Sequence, residues 1–240
     1  MEDAFLNGRV VAVQSQDGPR AGLDAVMLAA AVSAKPGDTV VEFGVGAGVV
    51  SLCLMARVSG LAASGLEFVG EMAALAEQNA ARNNRQIAVH VGDVKNPPPA
   101  FLTLRADHVF ANPPFIDEGK GTAPAENLRK LAHMNEGALG AWFDLAGLLL
   151  KTGGSFTLVH RADALPLILE LFSAPAWGDV QVLPLWPRAD VPARRVLVRG
   201  RKAKLTPFKL LPGLVLHESD GRYTSAADAI LRDGAGISWS

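Results

Sequence analysis

A stiff polar turn follows an apolar run near the middle of the chain. Residues 107–111 lead directly into Asn112-Pro113-Pro114-Phe115. Proline has no backbone N–H and holds φ near −65°, and Pro113 also excludes Asn112 from the helical region. The side-chain oxygen of Asn112 and the carbonyl oxygen of Pro113 are therefore two fixed acceptors, and Phe115 adds a flat apolar face.

Two fixed acceptors beside an aromatic ring suit the exocyclic amine of a planar group. The lone pair of such an amine is delocalised into the ring, so acceptors that hold both amine hydrogens help it to localise toward a methyl donor. Stacking of a base on Phe115 would contribute about 1–3 kcal/mol. The simpler interpretation is a strand end followed by a core phenylalanine, and a cofactor site nearby would favour the catalytic one.

A glycine-rich turn after the apolar run 39–43 is the candidate cofactor site. Its glycines are Gly44, Gly46 and Gly48. A turn between a strand and a helix in an open α/β sheet is where nucleotides bind. The dinucleotide fingerprint needs its third glycine at position 49, where this chain has Val49, so a nicotinamide cofactor is disfavoured.

Three acidic residues end the predicted strands around this turn. Glu42 would repel a pyrophosphate and suits a cationic group, such as a sulfonium with an amino-acid tail. Glu67 ends the next strand, where a carboxylate can accept both hydroxyls of an adenosine ribose. Asp93 follows the third strand, within reach of an adenine amino group. Each acid alone is more often a solvated loop residue, but with the glycines they predict an adenosine cofactor.

Residues 39–160 resemble the class I S-adenosylmethionine-dependent methyltransferases of the amino-methylating type, through the glycine turn, the strand-end acids and the tetrapeptide 112–115. The resemblance implies an α/β fold, a seven-stranded doubly wound Rossmann-like sheet, and S-adenosylmethionine as the methyl donor. It implies the following sites: Glu42, Gly44, Gly46 and Gly48 at the methionine end, Glu67 at the ribose, Asp93 at the adenine, and Asn112, Pro113 and Phe115 at the target amine, with Asn112 also beside the cofactor.

Segments outside that core are similar to the bacterial tRNA(Val) adenine-N6 methyltransferase family, namely residues 20–29, 214–217 and 221–224. This second resemblance implies that Asp24, together with Arg20, closes over the cofactor, and that adenine N6 in tRNA is the leading acceptor. Adenine-specific enzymes most often have tyrosine at the position of Phe115. The alternatives are guanine N2 in ribosomal RNA, a protein glutamine or small molecule, and a non-catalytic module that binds the cofactor or RNA.

The pattern of elements explains how these residues come together. From residue 39, short β-branched runs alternate with runs of helical spacing, which predicts parallel strands joined by crossover helices. We expect strands at 39–43, 62–67, 87–91, 107–111, 155–160, 180–185 and 196–201, and helices at 69–82 and 138–150. A hairpin over 8–20 with its turn at 16–19, a helix over 23–34, and a last helix near 225–232 capped by Ser225 flank them. The expected domains are an N-terminal hairpin and cofactor-covering helix over 1–36, the methyltransferase domain over 37–210 and a C-terminal extension over 211–240.

Charge is distributed unevenly along the chain. The 240 residues have a net charge of −1, so binding to nucleic acid must be local. Residues 191–217 contain no acid, and their cations predict phosphate contacts, although some of them must occupy the solvated side of the last strand. The candidate RNA contacts are Arg194, Arg195, Arg199, Arg201, Lys202 and Lys204.

Several classes of protein are disfavoured by composition. The single cysteine, Cys53, lies in an apolar run, so an internal disulfide is excluded and a reducing cytoplasm fits. No apolar stretch is long enough for a membrane span, and the acidic start at residues 1–3 differs from an export signal. The histidines and Cys53 share no metal-ligand spacing, so no metal is expected. Ser51 lies outside a Gly-x-Ser-x-Gly turn, which disfavours a hydrolase.

Overall fold

A computed structural model of the protein describes residues 1–15, 20–113 and 139–240. Its centre is a mostly parallel sheet covered by helices on both faces. The strands are β1 (Glu2–Phe5), β2 (Val10–Val13), β3 (Thr39–Phe43), β4 (Ala62–Glu67), β5 (Ile87–Val91), β6 (Ala106–Ala111), β7 (Leu150–Arg161), β8 (Trp177–Trp186), β9 (Arg195–Lys202), β10 (Lys209–Leu210) and β11 (Leu214–Val215). The predicted Rossmann-like α/β fold is confirmed.

Nine strands of the described chain form the main sheet, in the order β10-β8-β9-β7-β6-β3-β4-β5, with β11 also paired to β8. The seven longer strands, β3 to β9, coincide with the seven predicted ones. The two short strands β10 and β11, which the sequence analysis did not predict, lie one after the other along the edge of β8.

Strand β9 is antiparallel to both of its neighbours, whereas β3 to β7 pair in parallel. The expectation of parallel strands is therefore wrong for β9. Its connection to β8, residues 187–194, is too short for a crossover and turns the chain straight back. We call the side of the sheet where β3 to β7 end the carboxyl edge, and the opposite side the amino edge. Arg195 lies at the carboxyl edge opposite Arg161, and Arg201 lies toward the amino edge opposite Ser155.

The helices include the four predicted ones. They are α1 (Leu23–Ala31), α2 (Val49–Arg57), α3 (Gly70–Arg82), α4 (Pro99–Leu102), α5 (residues 139–149), α6 (Leu165–Phe172) and α7 (Ser225–Leu231). The sequence analysis did not predict bounds for α2, α4 and α6. Helix α1 ends before the predicted residue 34 because Val32 adopts an extended backbone. The predicted cap of α7 is also wrong: Thr224 is the extended residue, and its side chain accepts from the amide of Ala227.

The N-terminal hairpin is shifted from its predicted position. Strands β1 and β2 pair around a turn in which Leu6, Asn7 and Gly8 have positive φ, so the hairpin covers residues 2–13 instead of 8–20. Residues 16–19, the predicted turn, lie outside the described residues. Two asparagine side chains, one in α3 and one at its C-cap, hold the hairpin in place.

Helix α3 and its C-cap residue present two asparagine amides to the backbone of β2. Asn79 accepts from the Val13 amide and donates to its carbonyl, each over 2.9 Å, and Asn83 makes the same pair of bonds with Val11. Each side-chain amide therefore takes the place of a neighbouring strand. Asn79 also donates to the carbonyl of Ala47 in the glycine turn over 2.9 Å, so it links the hairpin to the candidate cofactor site.

The structure also bears on the cysteine, on membrane-spanning helices and on metal sites. Cys53 is buried, and burial raises the pKa of its thiol to about 12. No helix in the described parts of the chain is long and apolar enough to cross a membrane. Within residues 1–15, 20–113 and 139–240, no group of three or more histidines, cysteines or acids is placed to hold a metal ion.

Candidate active site

The glycine turn and the tetrapeptide begin side by side at the carboxyl edge. Strands β3 and β6 are neighbours, and Phe43 is the register partner of Ala111. Gly44 and Asn112, the next residue of each strand, therefore leave the sheet together, with neighbouring strands about 4.8 Å apart. Asn112 is half-buried and Pro113 is buried. Phe115, the third predicted residue at the target amine, lies outside the described residues.

The glycine turn has a backbone that requires glycine. Gly44, Gly46 and Gly48 have φ of 66°, 55° and 80°, a left-handed conformation that side chains rarely adopt. Among the described residues, none comes within 4 Å of a β-carbon placed on Gly46, so this part of the chain leaves the front of the turn open. At Gly44 the same atom would lie 3.2 Å from the ring of Trp142 on α5, which closes the other side. The turn thus has one open face, where a ligand can approach the backbone.

Glu67 is held rigidly beside this open face. One carboxylate oxygen accepts from the Gly46 amide over 2.9 Å, and the other accepts from the Val69 amide over 3.0 Å. The side chain sits at the end of β4 and is 9% exposed. A carboxylate oxygen can accept more than one hydrogen bond, so Glu67 keeps capacity for hydroxyl donors.

Glu42 is buried beneath the turn. Its Oε2 accepts from both the amide of Ser51 at 3.1 Å and the Ser51 hydroxyl at 2.5 Å. Burial raises the pKa of the Glu42 carboxyl to about 8, and the negative charge of Glu67 acts in the same direction. A cation bound nearby would favour the ionised form and lower this pKa. Near neutral pH, burial therefore favours the protonated form of Glu42 in the absence of such a cation.

Two further predicted ligands lie at the rim of the site. Asp93 is exposed just beyond β5, and its Oδ1 accepts from the Lys95 amide over 2.9 Å, which fixes the turn. Asp24, in the first turn of α1, accepts from Arg195 Nε over 3.0 Å at the carboxyl edge. Arg20 instead pairs with Asp3 of the N-terminal hairpin. Register places Gly44, Glu67, Asp93 and Asn112 at ends of neighbouring strands, whereas Asp24 reaches this edge from α1.

Of the predicted RNA contacts, Arg199 is buried. Arg199 is 9% exposed, and it donates to Ser33 Oγ and Gln181 Oε1 and lies 4.6 Å from the ring centre of Trp239. Burial lowers the pKa of its guanidinium to about 10. The prediction that Arg199 contacts phosphate is therefore wrong, because the side chain is part of the core.

Arg201 and Lys202 also serve the fold. Arg201 donates through Nε and Nη2 to the carbonyl of Gly153, and Lys202 donates to the carbonyl of Leu150, both at the amino edge. These two predicted contacts thus lie on the opposite side of the sheet from Asn112. Lys204 is exposed on that same side, and Arg194 is exposed at the carboxyl edge beside Arg195.

Sequence analysis missed three residues that shape the site. Ser51 holds the Glu42 carboxyl, Trp142 closes one side of the glycine turn, and Asn79 is fully buried between α3, the turn and β2. A polar residue on the buried face of a predicted helix was a detectable signal for Asn79. No short-range sequence pattern connects Trp142 to Gly44, because the two residues are far apart in the chain.

The chain is similar to known methyltransferases over most of its length. Residues 13–166 match the family model described as the methyltransferase small domain. The tRNA1(Val) (adenine(37)-N6)-methyltransferase of Dickeya chrysanthemi is 28% identical over 224 residues, which cover 89% of this chain and 87% of the relative. The protein of the same name from Proteus mirabilis is 25% identical over 225 residues, with 89% and 86% covered.

A solved structure supports the fold. A predicted O-methyltransferase from Agrobacterium tumefaciens superimposes with a TM-score of 0.73 at 24% identity, over 89% of this chain and 98% of the other. At this identity the likeness concerns the arrangement of strands and helices. It agrees with the α/β architecture described above.

Proposed function

We propose that this chain, which belongs to the methyltransferase small domain family and is an S-adenosylmethionine-dependent methyltransferase, methylates an exocyclic amine of an RNA base, namely adenine N6 in tRNA. The main support is the register of β3 and β6, which puts Asn112 beside the glycine turn. The names of the two relatives at 28% and 25% identity favour adenine in tRNA over other amines.

The residues around the glycine turn fit S-adenosylmethionine, which supplies a methyl group on a sulfonium. The open face at Gly46 admits a ligand to the backbone, and Glu67 can accept the ribose hydroxyls there. In our proposal Asp93 accepts from the adenine amino group, and Glu42 balances the positive charge at the methionine end. Asp24, held by Arg195, would cover the cofactor from α1.

Asn112 and Pro113 would position the acceptor. The target base must leave its stack to reach the carboxyl edge, as other base-modifying enzymes require. The Asn112 side-chain oxygen and the Pro113 carbonyl then accept one amine hydrogen each, which directs the nitrogen lone pair at the methyl group. The nitrogen would form a bond to the methyl carbon as the sulfur–methyl bond of the donor breaks, and it would then lose a proton to solvent, so no strong general base is needed. Phe115 is proposed as the stacking partner of the base.

A labelling experiment tests the acceptor. The purified protein is incubated with radiolabelled S-adenosylmethionine and separate pools of unmodified tRNA, ribosomal RNA, protein extract and metabolites, and the labelled product is identified by mass spectrometry. A tRNA(Val) transcript and a transcript with adenine 37 replaced by guanine form the matched pair. We expect N6-methyladenosine in the first transcript alone. We also propose that the enzyme acts in the cytoplasm.

Other products would overturn parts of the proposal. N2-methylguanosine, methylglutamine or a methylated metabolite would discard adenine as the acceptor and keep the role of Asn112. Cofactor binding without transfer to any pool would favour a non-catalytic module that retains the fold.

A further inference from the structure

We infer that the turn formed by residues 217–223 is a stacking platform for an unpaired base of the RNA substrate, separate from the pocket that holds the target base. This inference rests on the proposed function, since it assigns part of the surface that recognises the same substrate. His217 and Tyr223 stack with their centres 4.7 Å apart and their planes at 24°.

The platform is rigid and accessible. His217 and Tyr223 form an isolated antiparallel bridge, and His217 Nδ1 lies 3.1 Å from the carbonyl oxygen of Gly221. The Glu218 amide donates to the carbonyl of Arg222 over 2.8 Å, which closes the turn. Tyr223 is nevertheless 37% exposed. An aromatic ring whose position is fixed before binding loses little conformational entropy when a partner stacks on it.

The platform lies at the same edge of the sheet as Asn112. Strand β11 pairs in parallel with the end of β8, and the His217 amide then donates to the carbonyl of Pro187, just after β8. The turn therefore begins where β8 leaves the sheet at the carboxyl edge. Four strand spacings separate β6 from β11, about 19 Å at 4.8 Å each. A base on the platform would thus be several nucleotides from the target base.

The charges of the turn favour a base over a phosphate. Arg222 is paired with Asp220 over 2.7 Å, and Glu218 is exposed, so the turn has no surplus positive charge. Every base offers a π-face that an uncharged ring can bind. The exposed Arg188 and Arg194, in the β8–β9 connection that His217 contacts, are better suited to the adjoining phosphates, with Asp190 as the one acid of that connection.

The test compares substitutions that keep or remove the flat ring. Tyr223→Phe retains the stack, whereas Tyr223→Leu retains apolar bulk without a π-face. Phe208→Leu is the matched control, because Phe208 is an exposed ring, 52% accessible, next to β10 and away from the carboxyl edge. For each full-length variant we would measure KM for the tRNA(Val) transcript, Kd for S-adenosylmethionine and the melting temperature.

We expect Tyr223→Leu to raise KM for tRNA about 5- to 100-fold, the range for loss of one stacked base, with cofactor Kd unchanged. Tyr223→Phe and Phe208→Leu should stay within about twofold of the wild type. An unchanged KM for tRNA in Tyr223→Leu, with or without a lower melting temperature, would overturn the platform and leave the proposed function standing. If the wild type methylates no RNA, both inferences fail together.

Discussion

Strand β9 connects two edges of the sheet that use charged side chains differently. At the carboxyl edge Arg195 bonds to Asp24 on the N-terminal helix, and its neighbour Arg194 is exposed. At the amino edge Arg201 and Lys202 donate to backbone carbonyls of β7. One basic segment therefore contributes both to the candidate site and to the internal structure. The two ends of a strand lie at opposite edges of the sheet, and the antiparallel direction of β9 puts Arg195 at the carboxyl edge.

The same contrast holds for the other polar residues of each edge. At the amino edge His108 lies 2.8 Å from Ser155 Oγ and 3.2 Å from Asp38 Oδ2, and burial lowers the pKa of its imidazole. These groups bond to one another and are shielded from solvent. At the carboxyl edge Glu67 bonds to loop amides and keeps acceptor capacity beside an open face. Polar residues stabilise the strand starts at one edge and remain available to ligands at the other.

The largest difference between the edges should be seen in turnover. Asn112→Ala removes one of two acceptors for the amine, and we expect kcat to fall about 10²- to 10³-fold, as for other single preorganised hydrogen-bonding groups. Cofactor Kd, measured by calorimetry, should stay within about twofold. His108→Gln at the amino edge is the counterpart: it should lower the free energy of unfolding by about 1–3 kcal/mol and leave kcat nearly unchanged. Substantial turnover in Asn112→Ala would refute the assignment.

Cofactor affinity provides the next largest effect. Glu67→Gln replaces one acceptor oxygen by an NH2 group, which cannot accept from the amide of Gly46 or Val69. We expect Kd for S-adenosylmethionine to rise about 10- to 100-fold, since hydrogen bonds to charged groups contribute about 1.5–3 kcal/mol. Glu71→Gln, an exposed glutamate in the first turn of α3, should leave Kd unchanged. Equal losses of cofactor and RNA affinity in Glu67→Gln would argue against a ribose contact.

The sequence predicted the positions of the turns at the carboxyl edge better than the direction of β9 and the burial of its side chains. The motifs at Gly44–Gly48 and Asn112 depend on backbone conformations that a few neighbouring residues dictate, so local patterns sufficed. The direction of β9 depends on the short connection after β8, and the burial of Arg199 depends on contacts with Gln181 and Trp239 from distant segments. A run of basic residues shows where cations are in the chain, but only the fold shows which of them face solvent.

The buried acid beneath the glycine turn predicts a pH dependence of stability. The folded pKa of Glu42, about 8, exceeds the ordinary value of 4.5 for a glutamate, so folding favours the protonated form. The stabilisation is present below pH 4.5 and is lost as the pH rises through 8, with a slope of at most about 1.4 kcal/mol per pH unit. Glu42→Gln should remove this slope in urea unfolding between pH 6.5 and 8.5.

That pH range separates Glu42 from His108. The lowered pKa of His108 affects stability only below the ordinary histidine pKa of 6.5, and there stability falls as the pH falls. A slope that persists in Glu42→Gln above pH 6.5 would show that another group titrates on folding. A simultaneous loss of cofactor affinity in this variant would support a role for Glu42 at the cationic end of the cofactor.

The smallest predicted effect separates the two ends of β9 most directly. If Arg194 contacts a phosphate, Arg194→Ala should weaken tRNA binding a few-fold and reduce the slope of log K against log salt by about one. Arg201→Ala should leave this slope unchanged, because its guanidinium is bonded to Gly153 at the amino edge, and should lower only the free energy of unfolding. The reverse result, a reduced slope in Arg201→Ala alone, would place the RNA along the amino edge. The tRNA would then have to extend around the β8 side of the sheet to deliver its base to Asn112, so the salt dependence of these two variants also decides the path of the substrate.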